Sequence, residues 1–386
     1  MQTNPFPAIL LAGPPHSGKS VLAHLLTEHL RQLHIPHYLL RAVPDGEGNW
    51  FHTGPLETVR LLRAQNKRTY STAFVSHMRQ AIEQRWLPLL VDIGGKPQDD
   101  QFDLIRACTH SLLLYREEND YHTWQTCLIE NGLIPVAELQ SVLAAPDQIN
   151  QTSPVLTGSI GDLHREVDLR RVDASFDALL DCISSLLQRD EATLERIHLD
   201  AAPPSTLLER ELAAMVGIPT TDEIVWAPEH LTQLQQLVPT GQRGALYGYG
   251  TVWLAAMLAA HALPAPFSFF DVRYGWLDTP TVRAQGQVNR LNVTYTPSLD
   301  GLWANIQLSQ QAILEPRPLV MVLPPGNDGL ILSGPLPRWA FAALTRAFAS
   351  ARPWVAVDEP RNKRVIVVAS QSAALPVGST LPYNTH

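Results

Sequence analysis

The chain has 386 residues, 45% of them hydrophobic and 17% charged, with a formal net charge of −8 and a pI near 5.9. That length favours two or three domains, and the composition is that of an ordinary globular protein rather than a disordered one. The acidic balance argues against coating nucleic acid by bulk electrostatics but leaves small nucleotides open as ligands. No apolar run approaches the ~18 residues of a membrane span, and the start of the chain lacks the basic-then-apolar pattern of a signal peptide. Cys108, Cys127 and Cys182 are scattered without metal-ligand spacing, which suits small buried hydrophobes in a reducing cytoplasm.

Ala8–Ala12 reads as a short apolar strand, and Val21–Leu30 has helical periodicity. Between them Gly13-Pro14-Pro15-His16-Ser17-Gly18-Lys19-Ser20 fits G-x-x-x-x-G-K-[ST], a strand-to-helix turn whose amides wrap phosphate oxygens. In this pattern Lys19 reaches the β/γ-phosphates and the Ser20 hydroxyl ligates Mg²⁺. The spacing therefore predicts an ATP·Mg site on an α/β domain.

His37–Arg41 is the next expected strand, followed by an acidic loop in which Asp45 and Glu47 face either a bound nucleotide or plain solvent. Residues 75–84 read as a helix. Leu87–Asp92 reads as an apolar strand that delivers Asp92 to the sheet edge, where Asp92-Ile93-Gly94-Gly95 has the form of the second Mg²⁺-site motif. Ser111–Tyr115 is a further strand, with Arg116 at its end as either a nucleotide clamp or a surface charge, and Phe176–Leu187 closes the domain as a helix. This alternation predicts a parallel sheet covered on both faces over residues 1–197. Leu199–Ser205 breaks the pattern, and 198–222 reads as a linker with a short helix from Thr206.

The second half repeats itself. Gly248–Leu258 can be laid on Gly334–Leu344 with Gly, Trp, an Ala and a Leu coinciding, and each copy continues into an apolar strand, Phe267–Arg273 and Trp354–Arg361. The expected copies are 223–297 and 298–386. His261 lies at the end of the first copy's helix, and Asp271 and Arg273, two apart, share a strand face if the pleat continues. An imidazole, a carboxylate and a guanidinium are the groups for work on a phosphodiester, although the same His suits a helix cap and Asp-x-Arg a surface pair.

At these residues the chain resembles the CRISPR-associated ring nucleases of the "Csx-three" type over roughly 223–386. The resemblance implies a ferredoxin-like α+β module in two tandem copies, cleavage of cyclic tetra-adenylate that switches off type III CRISPR signalling, use of manganese, and His261, Asp271 and Arg273 as the catalytic group. It also implies that the second copy, with Glu359-Pro360-Arg361 in place of Asp-x-Arg and no His on its helix, is degenerate and binds ligand through Ser333, Gly334, Arg338, Glu359 and Arg361. Some members of the family are fused to a P-loop ATPase, as this chain looks to be. The expected partners are a cyclic oligoadenylate and ATP, with the ring held in a homo-oligomer. The alternative is a P-loop kinase or ATP-driven switch whose second half only senses the messenger.

Overall fold

In a computed structural model the described residues are 4–42, 72–94, 102–142, 147–163, 173–220, 224–284, 291–298, 301–308 and 318–383. They form two units, residues 1–197 with Val272–Tyr274, and His198–Asp271 with Gly275–His386. Among them no helix is long and apolar enough to cross a membrane.

The first unit runs β1 (Ala8–Ala12), α1 (Lys19–Gln32), β2 (Tyr38–Arg41), α2 (Thr72–Glu83), β3 (Leu89–Asp92), α3 (Phe102–Ala107), β4 (His110–Tyr115), α4 (Glu118–Glu130), β5 (Ile134–Val142), β6 (Gln148–Gln151), β7 (Leu156–Gly161) and α5 (Ala174–Leu187). Helix α6 (Glu191–Asp200) crosses the division between the units. The sheet order is β2-β3-β1-β4-β5-β7-β6, parallel throughout except for the antiparallel edge strand β6. The solvated, polar Gln148–Gln151 carries no apolar alternation, which is why the sequence does not announce this edge.

Every residue of β1 is buried. Ile9 and Leu11 pack under Leu22, Leu25, Leu26 and Leu30 of α1 and Phe176, Leu179, Ile183 and Leu187 of α5. The i, i+3, i+4, i+8 spacing in α1 supplies one continuous apolar stripe for that contact. Ala8, Leu10 and Ala12 alternate to the opposite face and are just as deeply buried. The connections β2-α2-β3, β3-α3-β4 and β4-α4-β5 all advance across the sheet in the direction opposite to β1-α1-β2. Right-handed crossovers therefore place α2, α3 and α4 on that second face. The reversal at β1 leaves a crevice outside the carboxyl ends of β1, β3 and β4, where open parallel sheets bind ligands.

The second unit continues with β8 (Thr206–Leu208), α7 (Glu209–Met215), α8 (Glu229–Leu237), β9 (Gly244–Tyr247), α9 (Val252–His261), β10 (Phe267–Asp271), β11 (Gly275–Asp278), β12 (Val282–Arg283), β13 (Leu291–Ser298), β14 (Gly301–Leu308), β15 (Leu319–Val320), β16 (Leu330–Ser333), α10 (Arg338–Phe348), β17 (Trp354–Glu359), β18 (Arg364–Ser370) and β19 (Thr380–Leu381). The expected linker is partly built structure. Thr206–Leu208, where a helix was expected to open, pairs in parallel with β9, and the helix starts only at Glu209, with Leu212 and Ala213 in the core. A short Thr-Leu-Leu run beside a ready strand edge gains a ladder that an isolated helical turn lacks.

One sheet has the order β11-β10-β9-β8 and another β13-β14-β16-β17-β18-β19, while β12 and β15 pair separately. Within both larger sheets the same pairing recurs. Strand β8 is parallel to β9, β9 to β10, and β10 antiparallel to β11; β14 is parallel to β16, β16 to β17, and β17 antiparallel to β18. Register equates Asp271, opposite Gly275, with Glu359, opposite Arg364. One core holds α9 and α10 together with Phe267 and Phe269 of β10 and Val355 and Val357 of β17. Residues 253–259 of α9 are buried on every side, so this Ala-rich helix needs no polar face.

Candidate functional site

The carboxyl end of β1 turns at Gly13, whose φ is +137°. A Cβ built there would lie 1.9 Å from the Leu114 carbonyl oxygen, so this position accepts only glycine. Gly18, with φ +89°, starts α1 in the left-handed region. Between them Pro15 and His16 are exposed, while Ser17 is buried and its Oγ has no hydrogen-bond partner among the described residues. A buried hydroxyl without a partner is rare in folded proteins and marks the inside of this loop as a place to look for a ligand.

Lys19 is also buried, and its Nζ donates to the carbonyl oxygens of Gly13 at 2.9 Å and Pro14 at 2.7 Å. Burial pushes its pKa down to about 8, against the opposing pull of the Asp92 carboxylate. Asp92 closes β3 directly beside β1, where Leu11 is its register partner. The carboxylate is 1% exposed. Its Oδ2 accepts the Ser20 hydroxyl at 2.7 Å and its Oδ1 accepts the Gly94 N–H at 3.2 Å. The loop, Lys19, Ser20 and Asp92 are thus brought together, although Ser20 and Asp92 are 72 residues apart in sequence.

Sequence reasoning passed over Arg41. It ends β2 as the register partner of Asp92, is 6% exposed, and holds Nε 3.8 Å from Asp92 Oδ2. Lys19 and Arg41 are two buried cations that both lie close to the Asp92 carboxylate. Arg116 is exposed, with its carbonyl accepting Gln140 Nε2 at 3.1 Å. Asp45, Glu47 and Gly95 lie outside the described residues.

The residues expected to form a phosphodiesterase group are not brought together within the chain. Helix α9 runs back against β9 and β10, so His261 at its carboxyl end lies where β10 begins, whereas Asp271 lies where β10 ends. Five strand residues separate these levels by about 13 Å. His261 Nε2 donates to the Val238 carbonyl at 2.8 Å and lies 3.0 Å from Thr240 Oγ1. Arg273 does not share a strand face with Asp271, because β10 stops at Asp271 and Val272–Tyr274 form the turn into β11, whose Gly275 pairs with Asp271. The Arg273 guanidinium sits 5.0 Å over the Tyr274 ring.

In the expected second copy Glu359 accepts Trp253 Nε1 at 2.9 Å and the Arg364 Nε–H. Burial alone would push its carboxyl up, but the bonds from Arg364 and Trp253 hold it below the usual range. Arg361 is exposed on the 3₁₀ turn that follows β17. Arg338 donates to the carbonyls of Gly248 at 2.5 Å and Phe270 at 3.4 Å, tying the start of α10 to the first copy. Ser333 donates to Asp358 Oδ2 at 2.7 Å, and Gly334 is exposed with φ +130°. Asp358, also missed, is 7% exposed, and burial pushes its carboxyl up while the Ser333 bond partly offsets this. Among the described residues no three His, Cys, Asp or Glu side chains converge as a metal cage.

Residues 307–382 match the family described as CRISPR-associated protein (Cas_csx3). A comparison with curated proteins finds no match. The matched stretch begins inside β14 and runs through β16, α10, β17, β18 and β19. This C-terminal module is therefore similar to a CRISPR-associated family, which points to a CRISPR-associated role. The match covers Ser333, Arg338, Glu359 and Arg361, and His261, Asp271 and Arg273 lie before it.

Proposed function

We propose that the chain is a two-part nucleotide enzyme of CRISPR defence, a P-loop unit that binds ATP·Mg²⁺ joined to a duplicated module that binds and cleaves a cyclic oligoadenylate. The observation that carries the first part is the Ser20–Asp92 hydrogen bond, which joins the start of the loop's helix to the end of the neighbouring strand. The residues present fit the metal: Ser20 Oγ and the Asp92 carboxylate are hard oxygen donors, and Mg²⁺ needs only one or two such groups beside water and phosphate. When bound, it neutralises charge on the β- and γ-phosphates. Lys19 supplies a point charge to the same oxygens, and the backbone N–H groups from His16 to Ser20 cradle them, Pro14 and Pro15 having none to give.

The second part rests on the family match and on the recurring strand order of the two copies. Because His261 and Asp271 stand at opposite ends of β10, their joint action on one phosphodiester requires the His261 end of one chain to meet the Asp271 end of another, with the ring between subunits. Incubation of the purified chain with cyclic tetra-adenylate, followed by chromatography of the products, tests this reading. Linear adenylates support it. An intact ring after prolonged incubation with Mg²⁺ or Mn²⁺ favours the second reading, an ATP-driven switch or kinase whose second half only senses the messenger. The separation of His261 from Asp271 is the observation that keeps this second reading in play. In that reading the exposed Arg361 still contacts a phosphate.

A further inference from the structure

Leu39 packs into the core under α1 and α5, so its neighbour Tyr38 faces the other side of β2. On that side a cleft with about 350 Å³ of empty space opens beside Arg85. Tyr38 and Leu89, register partners at the amino ends of β2 and β3, line it, and Ala81 of α2 contributes only a methyl, which leaves room. Arg273 and Tyr274, which belong to this unit, also line it. None of the described residues that line it is acidic.

Arg85 is 5% exposed. Its Nε donates to the Phe6 carbonyl at 2.5 Å and its Nη1 to the Ile82 carbonyl at 2.7 Å, while Nη2 has no partner among the described residues. Burial pushes the pKa of the guanidinium down, and what opposes this is the Cys108 thiol, itself pushed up by burial to about 12 and so uncharged near neutrality. A buried cation held only by neutral carbonyls lacks its counter-charge.

We propose that this cleft is a binding site for a small organic carboxylate with an aromatic body, separate from the nucleotide loop. The carboxylate meets Arg85 Nη2, and the ring packs against Tyr38, Leu89 and Tyr274. A single open nitrogen suits a monoanion, because a phosphate dianion asks for more donors than one. The space lies at the small end of the ~300–1,000 Å³ usual for small-molecule sites, which favours one ring over a dinucleotide. Arg41 and Asp92 close the strands that Tyr38 and Leu89 open, so roughly 10 Å of strand separates this site from the loop. The proposal does not rest on the reading of Gly13–Ser20.

The test uses the full chain and saturation-transfer NMR, with 3-phenylpropionate and its uncharged amide as probes. Wild type is expected to bind the acid about tenfold or more tightly than the amide, the difference that a hydrogen bond to a charged group makes. Arg85→Gln should abolish that preference. Ala81→Leu fills the cleft without touching the bonds to Phe6 and Ile82, so it should abolish binding of both probes, and it carries the test should Arg85→Gln fail to fold. Lys19→Ala should bind the acid as wild type does. Four results would each overturn the proposal: no binding of the acid at millimolar concentration, equal affinity for acid and amide, unchanged acid binding in a folded Ala81→Leu chain, or loss of acid binding in Lys19→Ala. The last would place the carboxylate in the glycine loop instead.

Discussion

Trp253 on α9 donates its indole N–H to Glu359 at the end of β17, 2.9 Å away. The equivalent pair in the other direction is Trp339 and Asp271. Yet Trp339 Nε1 is buried and has no hydrogen-bond partner among the described residues. Its neighbour Arg338 already reaches the carbonyl of Phe270, one residue before Asp271. The register-equivalent ends of β17 and β10 differ here by one methylene, glutamate against aspartate. Glu359→Ala should destabilise the second unit by about 1–3 kcal/mol, because it leaves a second buried indole N–H without an acceptor. Asp271→Glu should raise the melting temperature by supplying Trp339 with one. Calorimetric melting of both variants checks the pair, and a lower melting temperature for Asp271→Glu would rule out the proposed symmetry.

Lys19 should carry the pH dependence of the proposed nucleotide site. Its folded pKa, about 8, is below the unfolded value of 10.5. Between these values the unfolded chain binds more protons, so stability should rise with pH over that window. Nucleotide binding needs the protonated amine, so affinity should be flat below pH 8 and fall above it, by at most tenfold per unit. Titration of ATP binding from pH 6.5 to 9.5 gives the profile. Affinity that stays constant to pH 9.5 would show that Lys19 does not face the phosphates.

Lys19→Ala should abolish tight ATP binding in a folded chain, since the amine is expected to serve phosphate rather than core packing. Asp92→Asn keeps shape and polarity but loses the charge. It should lower any ATP turnover by far more than it lowers nucleotide affinity, provided binding and single-turnover rates are measured separately. Equal losses would count against a metal-placing role.

Asp358 predicts the opposite sign to an ordinary paired carboxylate. Burial raises its pKa, so the folded state holds a proton that the unfolded state releases, and the stability it contributes fades as pH rises through its folded pKa. Asp358→Asn keeps an acceptor for the Ser333 hydroxyl and removes the buried charge. The variant should be more stable than wild type at pH 8, with a smaller advantage at pH 4, as read from denaturant midpoints at the two pH values.

If the ring lies between subunits, His261→Ala and Asp271→Ala chains should each lose cyclic adenylate cleavage on the order of 10²–10⁴-fold. Mixed together, they should recover a part of it, because one interface in the mixture pairs an intact His261 with an intact Asp271. Chromatography of the mixture against each variant alone is the measurement. Failure to recover would leave the two residues acting separately or not at all.

What could be read locally was read. Strand β1 and the loop after it follow from an apolar run, two glycines and Lys-Ser, because each signal lies within a few residues of the next. The duplicated Gly-to-Trp spacing points to a pairing that recurs in the sheets. What escaped depends on register or on direction. Nothing near Arg41 says that it will oppose Asp92, 51 positions on. Strand β13 is half polar along its length, which hides a hairpin partner that only the sheet reveals. The separation of His261 from Asp271 follows from a helix returning antiparallel between two parallel strands, a constraint of topology rather than of spacing.

The packing of α9 against α10 in one core has a consequence for how such a module can be divided or multiplied. Neither helix has a wet side large enough to be left alone, so excising the stretch 307–382 would cut through β14 and bare the apolar flank of α10. Here the covering element, α9, lies in the same chain as α10, so the contact does not depend on a second subunit. Because both helices belong to one polypeptide, the strand ends beside them need not match: β10 ends in Asp271 and β17 in Glu359, a difference that two identical subunits could never show.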